Sequence, residues 1–203
     1  MLVPWKPDGW HKVRSAACAA VLGVFVVGLA PALNGAIEEG PVIEMQAPRR
    51  AAKPPALTFA FTLHVQVGPP TEVGEMPAGR RRIIPILGGT FEGPSICGTV
   101  LAGGADWQIV QGDGVARLDT RYTLQTDSGT LIYIQNAGVR HASPDATRKL
   151  LAGEAVDPSE VYFKTVPTFE TSAPELQWLT RSVFVGTGER HPAEVIVHVW
   201  RVE

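Results

Sequence analysis

The sequence predicts an all-β domain, a closed antiparallel up-and-down barrel of about eight to ten strands with one short helix. Three observations carry that expectation. From Ala56 onward apolar residues recur every second position, the period of a half-buried strand. Turn-forming clusters separate the alternating runs: Gly68-Pro69-Pro70, Gly103-Gly104-Ala105-Asp106, Gly112-Asp113-Gly114 and Asp127-Ser128-Gly129. Only Pro144–Gly153 reads as a helix, with Ser143 as N-cap and Gly153 as stop. So many strands must manage their edges, and closing into a barrel abolishes them. A two-sheet sandwich is the competing arrangement.

Residues 1–32 read as a secretory signal peptide. Lys6, Lys12 and Arg14 form a basic flank, Ser15–Ala30 carries no charge, and Ala30-Pro31-Ala32 offers a small-residue exit. As a helix the uncharged run reaches roughly 24 Å, short of the ~30 Å hydrocarbon core. The expectation is a periplasmic or secreted protein that meets a membrane only if this segment stays uncleaved. Residues 33–55 mix Pro, Gly, Ala and charges without periodicity and read as a flexible linker. The barrel domain then occupies 56–203, long enough to bury roughly 70% of its unfolded surface.

The first strand places Leu57, Phe59, Phe61, Leu63, Val65 and Val67 on one face. Further strands are expected at Ile83–Phe91, Ile96–Leu101, Trp107–Val110, Val115–Leu124, Thr130–Asn136, Val161–Val166, Ser182–Gly186 and Glu194–Val202. Pro174–Leu179 has room for a second helical turn. Gly186-Thr187-Gly188 reads as a hairpin turn.

Composition narrows function mainly by exclusion. The 203 residues are 45% hydrophobic and 19% charged, and 18 Lys and Arg face 20 Asp and Glu for a net charge of -2. Such a balance leaves no electrostatic footprint for nucleic acid. The five histidines lack ligand spacing, so no metal site is expected. No phosphate loop, nucleophile elbow or dinucleotide fingerprint occurs, and no cofactor is expected. With residues 1–32 removed, Cys97 is the single cysteine, expected to be buried and inert.

Several segments in order resemble a known family. They are Gly79-Arg80-Arg81-Arg82 leading into Ile84-Pro85-Ile86-Leu87-Gly88-Gly89-Thr90-Phe91-Glu92-Gly93-Pro94, then Gly103–Trp107, Leu118–Tyr122, Asp127–Ile132, Tyr162–Thr171, Trp178-Leu179 and Phe184–Gly188. The combination resembles the bacterial and fungal barrel proteins called domain of unknown function 3237. That resemblance spans nearly all of 56–203. It implies a closed, calycin-like antiparallel barrel without a cofactor, and it implies no particular activity. Two positions depart from the family habit, Ser128 where an acidic residue is common and Lys164 where an Arg is common.

Candidate catalytic residues are Asp106, Glu170, Arg121 and Tyr122; candidate ligand-binding residues are Arg82, Trp107, Asp119, Tyr162 and Trp178. Asp106-Trp107 follows a glycine pair at a strand start. Its carboxylate is either a general base against an indole wall or a turn cap beside a core tryptophan. Asp119 and Arg121 share a strand face, either a lumenal Arg–carboxylate pair or a solvated ladder. The neighbours Leu118, Thr120 and Tyr122 favour the solvated reading, and Tyr122 becomes the lumenal candidate of that strand. Strand phase turns Arg82, of the run Arg80–Arg82, inward. Glu170 sits among apolar and hydroxyl residues, where an unpaired carboxylate is costly.

The expected function is binding of a small organic ligand in the barrel lumen. Acid–base chemistry of the lyase, isomerase or cyclase kind, passive carriage, and a structural or interaction role remain open. A homo-oligomer is compatible with each.

Overall fold

The computed structural model describes residues 52–203. The expected signal peptide (residues 1–32) and the part of the expected linker before residue 52 lie outside the described residues. Ala52–Ala56 are exposed and carry no regular structure.

Ten strands follow: β1 (Leu57–Val67), β2 (Thr71–Met76), β3 (Gly79–Glu92), β4 (Cys97–Val100), β5 (Ala105–Val110), β6 (Ala116–Thr126), β7 (Leu131–Ala142), β8 (Val161–Glu170), β9 (Phe184–Arg190) and β10 (Glu194–Val202). All pairings are antiparallel, and β1 bonds to both β10 and β3, which closes the ring. β4 and β5 share one place between β3 and β6. β4 pairs the far halves of both, and β5 the near halves. The ring therefore has eight strand positions, and β2 folds back on the start of β3 as a hairpin.

Helix α1 (Pro144–Ala152) links β7 to β8. Its Ser143 hydroxyl accepts the Ala146 N–H and Gly153 closes it in the left-handed conformation, as its capping residues require. A second short helix, α2 (Gln177–Thr180), follows a 3-10 turn at Pro174–Leu176.

The first strand departs from its expected single apolar face. A bulge between Phe59 and Phe61 leaves Ala60 opposite no partner on β10. One extra residue reverses the side-chain phase. Leu57 and Phe59 consequently face out, Phe59 edge-on to Trp200 at 5.4 Å, while Phe61, Leu63 and Val65 face in.

Six strands outrun their expected bounds, with β3 starting at Gly79, β5 at Ala105 and β6 ending at Thr126, and β2 is a strand the alternation did not predict. β7 continues six residues past Asn136. β8 runs through Pro167, where its β9-facing edge carries no ladder pair to lose, because β8 and β9 pair only at Lys164 and Thr165. β9 continues through Gly186-Thr187-Gly188, which is strand and not the expected turn. Both glycines make room for lumenal side chains: a Cβ at Gly186 would stand 2.3 Å from the Thr165 hydroxyl, and one at Gly188 2.6 Å from the Phe163 ring.

Along its axis the barrel divides into two halves. One is solid core: Phe61, Phe91, Phe169 and Phe184 meet edge-to-face at 5.1–6.1 Å, an arrangement aromatic quadrupoles favour. Leu124, Ile132, Ile134 and Val199 fill around them, and Leu176 and Leu179 pack in from the α2 region. The other half sets polar side chains among apolar ones, including a small cluster of Ala116, Leu118 and Phe163. Cys97 lies outside both halves. It is exposed at the start of β4, contrary to the expected burial, and its thiol donates to Asp127 Oδ2 at 3.1 Å.

Candidate functional site in the polar half of the barrel

Strand alternation decides which side chains enter the polar half. β5 contributes Asp106 and Gln108, β6 contributes Leu118, Thr120 and Tyr122, and β7 contributes Asn136 and Arg140. With Thr165 and Phe163 of β8, Arg190 of β9 and Val195 and Val197 of β10, these enclose a chamber of about 40 Å³. A second chamber of about 50 Å³ opens outside it beneath α1, between Arg82, Ala116, His141, Thr147 and Leu150. Ile84, Arg140 and Arg190 line both chambers. Each holds a few water-sized groups, well under the ~150 Å³ that admits benzene. A larger guest therefore places one functional group inside and its body in the mouth.

Asp106 is the carboxylate of the inner chamber. Gln108 Nε2 donates to its Oδ2, the Asp119 backbone N–H donates to its Oδ1 at 3.2 Å, and the Thr120 hydroxyl also bonds it. Burial pushes its pKa up against these bonds and against the field of Arg140, which pull it down. Tyr122 is only 4% exposed, and burial, with Asp106 adding to it, raises its phenol far above the ordinary value. Desolvation lowers Arg140 to about 10, with Arg190 next in effect, which still leaves it cationic at neutral pH.

Four buried side-chain polar atoms find no partner among the described residues: Arg82 Nε, Gln108 Oε1, Asn136 Oδ1 and Thr165 Oγ1. All four belong to residues lining the two chambers. Folded proteins pair nearly all such atoms elsewhere, so this concentration makes the cavity the candidate site.

The candidates from the sequence divide sharply. Asp106 and Tyr122 meet in the inner chamber, and Arg82 joins them from the mouth. Asp119 and Arg121 form an ion pair at 3.1 Å on the outer face, as the alternation of β6 favours. Trp107 also faces out, its carbonyl accepting from Arg81. Tyr162 is exposed on β8 and stacks on His141 at 4.7 Å, and Glu170 is exposed at the end of the same strand. The odd phase of β8 turns inward Phe163, Thr165, Pro167 and Phe169, so neither Tyr162 nor Glu170 reaches the lumen. Trp178 packs against Phe184 at the solid end, away from both chambers.

Arg140, Arg190, Gln108, Asn136 and Thr165 escaped the sequence reading. Arg140 and Arg190 lie past the expected ends of their strands. The inward phase of β7, counted on from Ile132 and Ile134, was the signal that identifies Arg140. Among the described residues no three His, Cys, Asp or Glu side chains are grouped to hold a metal ion.

The profile of proteins of unknown function DUF3237 matches residues 55–202. The chain belongs to that family. A UPF0311 protein of Rhodopseudomonas palustris is 42% identical over 144 residues, covering 71% of this chain and 94% of the relative. The crystal structure of a beta-barrel like protein from Acinetobacter baumannii superposes with a TM-score of 0.67 at 44% identity, covering 75% of this chain and 99% of that one. A more distant relative, 24% identical over 151 residues and covering 74% of this chain and 85% of the relative, is a hydroalkoxylation enzyme of Penicillium herquei.

Proposed function

We propose that this protein binds a small organic molecule at the mouth of the barrel and acts on it by proton transfer through Asp106. The observation that carries the proposal is a buried carboxyl of raised pKa in a chamber whose other walls hold unpaired polar atoms. A carboxyl held nearer neutrality than usual exchanges protons in both directions, the property a general acid–base catalyst needs.

The reaction class that fits is an intramolecular addition or its reverse. In adding a hydroxyl across a carbon–carbon double bond, the O–H bond and the π bond break while a C–O and a C–H bond form. Asp106 gives a proton to carbon and regains one from the hydroxyl, so the reaction is balanced without a co-reactant. The name of the Penicillium relative, a hydroalkoxylation enzyme, supports this class. Gln108, Thr120 and the Asp119 N–H orient the carboxyl, and Tyr122 stays a neutral phenol able to donate. We further propose that the N-terminal segment exports the protein, which fractionation of expressing cells tests.

The test is turnover of ortho-alkenyl phenols by the full-length chain, followed by chromatography of the cyclic ether. Asp106→Asn is expected to lose about 10²–10⁴-fold in rate while keeping the fold. Turnover retained in Asp106→Asn overturns the acid–base role. Saturable binding of these phenols by the native chain with no turnover of any of them replaces it with passive carriage.

A further inference from the structure

Three guanidinium groups converge on the mouth of the same cavity. Arg82 enters from β3, Arg140 from β7 and Arg190 from β9, and all three line the chamber beneath α1. Arg190 is tied down, donating to the backbone carbonyls of Glu194 at 3.2 Å and Pro192 at 3.3 Å. Arg82 is 9% exposed, its Nε has no hydrogen-bond partner, and its nearest carboxylate is Glu72 at 3.7 Å from the β2 hairpin. Arg140 makes no hydrogen bond or ion pair among the described residues and lies 5.9 Å over the Phe163 ring.

Guanidiniums buried side by side are expensive, because each loses water and several together repel one another. Each of the three is pulled below its ordinary pKa, by burial first and by its arginine neighbours among the further causes. Against these three charges stand Glu72, 3.7 Å from Arg82 at the hairpin, and Asp106, whose own burial favours the protonated form. The polar half of the barrel thus holds an excess of positive charge in a chamber whose apolar lining is Ile84, Val110, Ala116 and Leu150. Guanidiniums present paired N–H donors that match the two oxygens of a carboxylate.

We propose that the mouth is an anion subsite, built by Arg82, Arg140 and Arg190, for a small organic carboxylate or enolate whose carbon body rests against the apolar lining. This names the substrate class of the site and rests on the reading of that cavity as the reaction centre. Anchored there, the molecule presents its neighbouring carbon or hydroxyl toward Asp106 in the inner chamber.

Calorimetric titration of the full-length chain with benzoate, its neutral isostere benzamide, and inorganic phosphate tests the subsite. Benzoate is expected to bind at least 10-fold more tightly than benzamide and more tightly than phosphate. Arg140→Gln is expected to weaken benzoate at least 10-fold, and Arg140→Lys, which keeps the charge and loses the fork, by an intermediate factor. Asp106→Asn is expected to bind benzoate as well as the native chain or better, since it removes a competing negative charge. Benzamide matching benzoate, or Arg140→Gln binding benzoate normally, overturns the subsite; phosphate matching benzoate overturns its organic part. Should Arg140→Gln fail to fold, by circular dichroism, the benzamide comparison and Arg140→Lys still decide. Turnover retained in Asp106→Asn with benzoate selectivity intact is failure of the acid–base role alone, and turnover lost in Asp106→Asn while benzamide matches benzoate is failure of the subsite alone.

Discussion

Replacing Asp106 by Asn asks whether burial or the arginines govern the lumenal carboxyl, and stability against pH answers it. The substitution is nearly isosteric. Its amide oxygen still accepts the Asp119 N–H, and a flip of the Gln108 amide lets Gln108 Oε1, now without a partner, accept from the new side-chain nitrogen. What changes is the charge. Burial raises the Asp106 pKa above its ordinary value of 3.8, so between that value and the raised one the folded protein binds more proton than the unfolded chain. Stability of the native protein therefore falls as pH rises through this window and levels off above it. Asp106→Asn lacks that loss. Its stability relative to the native chain is expected to start at a fixed offset at low pH and climb by at most about 1.4 kcal/mol per pH unit. A plateau follows above the raised pKa. Denaturant titrations of both proteins from pH 3 to 9 give the difference directly, because the other titrating groups cancel. A difference that is flat, or that falls with pH, would falsify the reasoning, since it would mean that Arg140 and the hydrogen bonds outweigh desolvation.

Other expectations test the frame around the site. Phe184→Ala removes a ring that touches Phe169 at 5.1 Å and Trp178 at 5.9 Å, and is expected to cost about 3–5 kcal/mol in denaturant titrations. A loss under about 1 kcal/mol would show that the solid half is not closely packed. Gly188→Ala drives a methyl into the Phe163 ring and is expected to cost about 1–3 kcal/mol, visible as a lowered Tm; an unchanged Tm contradicts the close approach. The Asp127 carboxylate, by accepting from the thiol and by its charge, raises the Cys97 pKa. The pH midpoint of Cys97 alkylation is accordingly expected to fall in Asp127→Asn, and no shift would remove that hydrogen bond. Ser143→Ala deletes the N-cap of α1 and is expected to cost about 1 kcal/mol, read from thermal melts; a cost near zero would mean that packing alone holds the helix over the mouth.

Local pattern was enough for the barrel itself. Two-residue alternation with turn residues at its breaks identified nine of the ten strands, missing the short polar β2, and the Ser143 and Gly153 caps identified the helix at Pro144, because those signals depend on near neighbours in the chain. The same alternation turned Arg82 and Tyr122 inward and left Asp119 and Arg121 outside. Where the reading failed, a distant residue was responsible. The bulge at Ala60 exists in the register of β1 against β10, and its reversal of Leu57 and Phe59 is invisible in an uninterrupted apolar run. Gly186 and Gly188 look like a turn until the Thr165 and Phe163 side chains that occupy their missing Cβ space are in place. Once β7 and β9 are allowed their full length, Arg140 and Arg190 fall on the lumenal face.

The amino-acid sequence determined most of the strands and, away from the bulge at Ala60, their faces, since a strand's two sides are set by parity along the chain. Only ring closure decided the site. It brought Asp106 and the three arginines from four separate strands to one end of the barrel, and withdrew enough water there to change how they hold protons. Parity says which way a side chain points; the closed tube alone says what it meets.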